Sequence, residues 1–106
     1  MHWGNPSIGG AYDWATFTLN TGTTDYNVKT NQSNLFLNIP IAKNVFIWST
    51  QDISFKFNNT GNPAIVFAAA SNGENPFEGK QFLLVSNIFL TNTSGTNATI
   101  KILLSV

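Results

Sequence analysis

The last quarter of the chain, Gln81 to Val106, constrains the fold more than any other segment. It holds two apolar runs with an alternating pattern, Phe82 to Leu90 and Ala98 to Val106, joined by the polar stretch Thr91 to Asn97. Strand side chains alternate between the two faces with a period of two. In the second run this alternation places a set of apolar side chains on one face: Ile100, Ile102, Leu104 and Val106. The pattern predicts a closing β-hairpin whose final residue is packed into the core.

Short apolar or aromatic runs separated by turn residues continue through the rest of the chain. The predicted strands are Asp13 to Leu19, Tyr26 to Lys29, Leu35 to Ala42, Val45 to Trp48 and Ile53 to Phe57. Pro40 has no backbone donor, so the third of these belongs at a sheet edge or a bulge. Ala64 to Ala70 is apolar without alternation and predicts either a central strand buried on both faces or two helical turns.

Turn signals that recur about every 8 to 12 residues are typical of antiparallel sandwiches and barrels. No segment shows a sustained helical period. We therefore predict an all-β fold, a single antiparallel β-sandwich of about 7–8 strands with Greek-key or jelly-roll-like connections. The expected division is an N-terminal arm over residues 1–11 and a sandwich domain over residues 12–106.

Charged residues make up only 9% of the 106 residues, and the formal net charge is zero. Nucleic-acid binding and binding to anionic lipid both depend on basic patches, so neither partner is expected. The chain has no cysteine, which excludes disulfides and thiolate metal sites. The start of the sequence lacks the pattern of a secretory signal, so we expect synthesis in a cytoplasm.

The residues needed for catalysis are scarce and scattered. His2 is the only histidine, and it lies at the extreme N-terminus. The carboxylates are Asp13, Asp25, Asp52, Glu74 and Glu78, with no calcium-loop motif among them. Glu74 and Glu78 flank one loop with Asn72 and Asn75. These residues could form a weak ion site, or the carboxylates could simply be solvated charges. We expect no enzymatic activity, no cofactor and no resident metal.

The aromatic residues indicate an alternative function. Four of them are candidates for stacking on sugar rings: Trp14, Trp48, Tyr12 and Tyr26. Large aromatic side chains also fill the cores of small sandwiches, so these residues could instead serve only to pack the core. A carbohydrate-binding module is therefore the alternative function.

The N-terminal arm contains two apolar anchors, Trp3 and Ile8, among glycines and polar residues. An exposed tryptophan on such an arm favours a hydrophobic pocket, on the same subunit or on a neighbour. The expected contact surfaces are this arm, one exposed sheet edge and the loop Ser71 to Lys80, in which Phe77 is a further interface candidate. These features favour a protein that binds copies of itself.

Three segments carry a resemblance to a known family: Ile53 to Asn58, Pro63 to Ala69, and Val85 through Leu104. Together they resemble the C-terminal half of small all-β virion proteins of tailed bacteriophages. In that family a strand and turn of the pattern I-x-V-x-N-x-S-G leads into a closing strand, as Ile88 to Gly95 leads into Thr99 to Leu104 here. The resemblance covers about half of the chain.

The resemblance implies a structural protein repeated many times in a phage particle, in the capsid, neck, tail or fibre. Its partners would be copies of itself and other virion proteins, and its location would be the virion. Low charge, the missing catalytic set and the arm agree with this expectation. The carbohydrate-binding module, free or as a receptor-binding tip, remains the alternative.

Overall fold

The computed structural model describes residues 12–79 and 84–106. Within them lie eight strands and two short helices. In chain order these elements are β1 (Tyr12–Leu19), β2 (Tyr26–Asn27), α1 (Val28–Asn31), β3 (Asn44–Ser49), β4 (Ile53–Phe57), β5 (Ile65–Phe67), α2 (Ala69–Asn72), β6 (Phe77–Gly79), β7 (Ile88–Asn92) and β8 (Ala98–Ser105).

The strands form two four-stranded antiparallel sheets, with orders β1-β8-β3-β6 and β2-β7-β4-β5. Strands that follow each other along the chain lie in different sheets at most connections, and β4-β5 is the exception. This is the eight-stranded jelly-roll arrangement, in which two sheets pack face to face. The predicted all-β sandwich is confirmed, and its jelly-roll form is the one observed.

The core lies between the sheets, and β8 contributes to it along its whole length. Ile100, Ile102 and Leu104 are fully buried, as their alternation predicts. Antiparallel β1 pairs with β8 over eight residues, from Tyr12 opposite Ser105 to Leu19 opposite Ala98. Among the described residues, every buried side-chain nitrogen or oxygen has a hydrogen-bond partner.

The predicted closing hairpin is wrong, because β7 and β8 lie in different sheets. The connection between them is held by the buried side chain of Asn92. Its Nδ2 donates to the carbonyls of Leu19 and Thr96, while its Oδ1 accepts from the backbone and the hydroxyl of Ser94. These bonds turn the chain from one sheet to the other. Within the described residues the first strand of the pair begins at Ile88, and Val106 is 62% exposed rather than packed inside.

No strand forms over Leu35 to Ala42, although the sequence alternates there. The alternation predicts one face made of Leu35, Leu37, Ile39 and Ile41, but only Leu35 and Ile39 are buried, while Leu37 and Ile41 are 66% and 51% exposed. Ala42, which the alternation assigns to the opposite face, is fully buried. The backbone N–H groups of Asn38 and Ile39, however, donate to Asp13 Oδ2 instead of to a strand. Asp13 therefore pulls this segment across the end of the sandwich and prevents a ladder.

Two short elements also differ from the prediction. The strand expected over Tyr26 to Lys29 ends at Asn27, because the Asn27 side chain accepts from Thr30 N and caps helix α1. Ala64 to Ala70 does not form a central strand. It forms the edge strand β5, in which Val66 is 74% exposed, followed by the helical turn α2.

The predicted arm over residues 1–11, with His2, Trp3 and Ile8, lies outside the described residues. The arm and its anchors remain predictions. The boundary between this arm and the sandwich domain, predicted between residues 11 and 12, also remains a prediction.

Candidate functional site: the cleft beside strand β1

A cleft of about 580 Å³ opens beside β1, which is an edge strand of its sheet. One wall is β1 itself and the other is the segment that follows α1. The lining residues are Tyr12, Asp13, Trp14, Ala15, Thr16, Gln32, Asn34, Leu37 and Asn38. Its volume falls within the range of small-molecule sites.

Asp13 joins the two walls of the cleft. Its carboxylate is 3% exposed and accepts hydrogen bonds from Asn38 N, Asn38 Nδ2 and Ile39 N at 2.9 to 3.0 Å. Charge-assisted bonds of this kind are stronger than neutral ones. In the sequence Asp13 is only one of five scattered carboxylates, and the structure assigns it this structural role.

Two large apolar side chains are exposed at the cleft. Trp14 is 48% exposed and Leu37 is 66% exposed. Tyr12, which is half-buried, lies on the same face of β1 as Trp14 because the two are separated by one residue. The side-chain amides of Gln32, Asn34 and Asn38 complete a lining that is apolar and polar but uncharged apart from the engaged Asp13.

The backbone of β1 also faces the cleft. Thr50 N donates to Thr99 O, so Thr99 and alternate residues of β8 direct their backbone groups toward β3. The intervening residues of β8 bond to their partners in β1. The other residues of β1 therefore direct their N–H and C=O groups to the free edge: Tyr12, Trp14, Thr16 and Thr18. No described residue supplies a hydrogen-bond partner to these groups.

A second exposed apolar surface lies where β8 ends. Ala42 pairs with Val85, and Lys43 N donates to Ser105 O, which brings three chain segments together. Ala42 and Val85 point inward and are buried. Ile41 and Leu84, which precede them in the chain, and Val106, which follows Ser105, are exposed at 51, 63 and 62%. We call these three residues the apolar end.

The other predicted sugar-stacking residues do not join the cleft. Trp48 lies on β3, its Nε1 donates to Gly73 O, and the Lys101 ammonium sits 5.0 Å from its ring centroid. Tyr26 stacks on Phe17 across the sandwich, and its hydroxyl accepts from Gln32 Nε2. Of the four candidates, the structure brings together Tyr12 and Trp14.

Phe77, the interface candidate in the loop Ser71 to Lys80, lies on edge strand β6. Its ring packs against Phe55 at 4.9 Å and Phe57 at 6.1 Å between centroids. This side chain stabilises the core, and an interface role for it remains a prediction.

The carboxylates do not converge on a metal site. Across residues 12–79 and 84–106, no group of three or more His, Cys, Asp or Glu side chains is placed to hold a metal ion. Asp25 forms an ion pair with Lys56 at 3.2 Å, and Asp52 accepts from Ala69 N. Within the same ranges, no helix is long and apolar enough to cross a membrane.

Sequence reasoning missed the second wall of the cleft and the apolar end. The pattern predicts a turn and then a strand for the residues of this wall, which are Gln32, Asn34, Leu37 and Asn38. Ile41 and Leu84 were placed in alternating runs. The pattern of polar residues does not predict such a wall, because the wall depends on the long-range hydrogen bonds that Asn38 and Ile39 donate to Asp13.

No protein-family model matches the chain, and no curated protein matches it significantly. Among solved structures, the fold is similar to a de novo designed double-stranded β-helix determined by solution NMR. The two are 16% identical, the match covers 88% of this chain and 97% of that one, and the TM-score is 0.52. At this identity the likeness shows the fold alone, and it agrees with the jelly-roll strand order.

Proposed function

We propose that this chain is a non-enzymatic structural component of a bacteriophage particle, acting through self-association or by docking on the particle. The observation that carries the proposal is the apolar end. Ile41, Leu84 and Val106 expose apolar surface where three chain segments meet, around the exposed Lys43 on the same face. Grouped apolar surface is a feature of protein interaction sites.

The low charge of the chain supports the same proposal. A formal net charge of zero gives copies no electrostatic repulsion to overcome when they associate. The jelly roll is used by viral capsid proteins and by lectins, so the architecture is compatible with both functions considered. A fold does not determine function, and the proposal depends on the apolar end and on the resemblance of the C-terminal half to phage proteins.

The test is the mass of the native protein as a function of concentration, by analytical ultracentrifugation. We expect a species larger than the monomer. Leu84→Ser and Ile41→Ser should weaken its association about tenfold each, which corresponds to roughly 1.4 kcal/mol. Val66→Ser is the matched control, since it removes a comparably exposed apolar side chain from edge strand β5 in the other sheet.

The particle assignment has its own measurement. Peptides of this chain should be detected by mass spectrometry in virus particles purified to constant density. A monomer at every concentration, together with the absence of these peptides from particles, would contradict the proposal.

A carbohydrate-binding module is the second candidate, and the cleft beside β1 favours it. A half-exposed tryptophan beside Tyr12 and three side-chain amides offers a stacking surface and hydrogen bonds, the combination expected of a small-ligand site. Glycan-array binding should then be lost in Trp14→Ala and kept in Trp48→Ala, because Trp48 lies outside the cleft. Equal loss in both variants would place the sugar elsewhere.

A further inference from the structure

We propose that strand β1 pairs antiparallel with β1 of a second copy of this chain, so that two four-stranded sheets become one continuous sheet. This inference rests on the proposed self-association and adds to the apolar end a second contact surface with a defined register. The occupant of the cleft beside β1 is then the β1 strand of the partner.

The lengths of the edge strands point to β1. Edge strands with unpaired backbone groups invite pairing with another chain, and proteins protect them by keeping them short or by charging them. The other edge strands of the described fold are short: β2 has two residues, and β5 and β6 have three each. Strand β1 has eight residues.

The composition of β1 offers no such protection either. Its outward side chains are Tyr12, Trp14, Thr16 and Thr18, all uncharged and all favourable in strands. Its one charge, on Asp13, is turned inward and is held by Asn38 and Ile39. The strand contains no proline and no glycine. A long, neutral edge of this kind is suited to pairing.

The backbone directions fix the register. A twofold-symmetric pair uses the same surface on both copies. Only Tyr12, Trp14, Thr16 and Thr18 direct N–H and C=O groups outward, so a register that satisfies all four must place Trp14 opposite Thr16 of the partner subunit. Tyr12 then lies opposite Thr18 of the partner subunit, and the twofold axis passes through Ala15.

The pairing also covers exposed apolar surface. Trp14 is 48% exposed on the outer face of the sheet. In this register the indole packs across the threonine of the partner strand, an aromatic and β-branched pair that stabilises sheets. The cleft lies along residues 12–16 of this edge.

Cysteine cross-linking tests the register directly, because the chain has no cysteine of its own. Four single variants are used: Tyr12→Cys, Trp14→Cys, Thr16→Cys and Thr18→Cys. Under mild oxidation, mixtures of variants 14 and 16, and of variants 12 and 18, should give disulfide-linked heterodimers by mass spectrometry. Directly opposed residues lie about 5.5 Å apart between Cα atoms, within the range of a disulfide.

The same variants with exchanged partners are the control. Mixtures of 12 with 16, and of 14 with 18, place the cysteines diagonally at about 7 to 8 Å, beyond disulfide reach. Linking only in the opposed pairs supports the register. Equal linking in all four mixtures, or linking only in the exchanged mixtures, overturns it.

A charge on the edge tests the strand pairing without cysteine chemistry. Thr16→Lys should weaken dimer formation about tenfold or more, because two lysines would meet near the twofold axis. Thr16→Val keeps the shape and should retain the dimer. Circular dichroism verifies that both variants fold, and unchanged association of Thr16→Lys overturns the inference.

The outcomes separate this inference from the proposed function. If the protein self-associates but neither the opposed cysteines link nor Thr16→Lys weakens association, the proposed function stands and the β1 interface is wrong. If the protein is monomeric at every concentration, the β1 interface is wrong, and the proposed function is contradicted as well when peptides of the chain are also absent from purified particles. Saccharide binding by such a monomer, lost in Trp14→Ala, would assign the cleft to carbohydrate.

Discussion

Both carboxylate oxygens of Asp13 bind the same residue, Asn38. Oδ2 accepts from the Asn38 backbone N–H at 2.9 Å, and Oδ1 accepts from its side-chain Nδ2 at 3.0 Å. This pair fixes the segment that crosses the end of the sandwich and builds the second wall of the cleft. A single inward charge on an edge strand therefore supports both the fold and the candidate site.

Replacing Asp13 should destabilise the protein strongly. Asp13→Asn keeps the shape but turns an amide donor toward backbone donors, and we expect a loss of roughly 2–3 kcal/mol in the free energy of unfolding. Urea unfolding measures it. Asp52→Asn is the control, since Asp52 accepts a single exposed bond from Ala69 N and should cost less than about 1 kcal/mol. Similar losses in the two variants would contradict the role of Asp13.

Neighbouring positions in β8 should differ according to their faces. Ile100 is fully buried, so Ile100→Ala should cost about 2–5 kcal/mol through lost burial and the cavity left behind. Lys101 is on the outer face over the Trp48 ring, and Lys101→Gln should cost about 0.5–1 kcal/mol. Thermal and urea unfolding compare the two variants. A larger loss in Lys101→Gln than in Ile100→Ala would mean that Lys101, and not Ile100, faces the core.

Asn92 should be more important for stability than an exposed turn residue. Its buried amide bonds the carbonyls of Leu19 and Thr96, so Asn92→Ala leaves the buried Leu19 carbonyl without this donor, removes the bond to Thr96, and should cost about 2–3 kcal/mol. Asn97→Ala is the control, because Asn97 Oδ1 accepts one exposed bond from Thr21 N. Chemical unfolding of the two variants measures their free energies of unfolding. An equal loss in both would argue against the role of Asn92 in directing the chain from one sheet to the other.

Asn58 allows the backbone and side-chain contributions to be separated. It has a φ of +68°, and its side chain bonds Ser86 N and Leu84 O. Asn58→Gly and Asn58→Ala both lose these bonds, but alanine also resists the left-handed conformation, so Asn58→Ala should be less stable by about 1 kcal/mol. Unfolding free energies measured side by side test this, and an alanine variant as stable as the glycine variant would rule out backbone strain at this position.

The prediction is most accurate for strands in which apolar and polar side chains alternate, because the apolar side chains then mark the face that is buried in the core. β4 and most of β8 have apolar residues facing inward at alternate positions, and their burial follows that pattern. In β3 the burial is continuous from Val45 to Ile47, and no alternation was predicted there. The all-β class also follows from local signals, since turn residues recur between short runs. In the candidate site, Tyr12 and Trp14 were identified as aromatic residues but could not be placed together from the sequence.

The sequence by itself determined the all-β class and the buried faces of β4 and β8, because alternation is a property of each segment alone. Only the tertiary structure decided which strands pair. The run from Ile88 to Asn92 and the run from Ala98 to Ser105 follow each other along the chain, yet the buried amide of Asn92 directs them into different sheets. Leu35 to Ala42 alternates like a strand, yet Asp13 binds the N–H groups that a ladder would need. In both places a single polar side chain, brought close by the fold of distant residues, outweighs the local pattern.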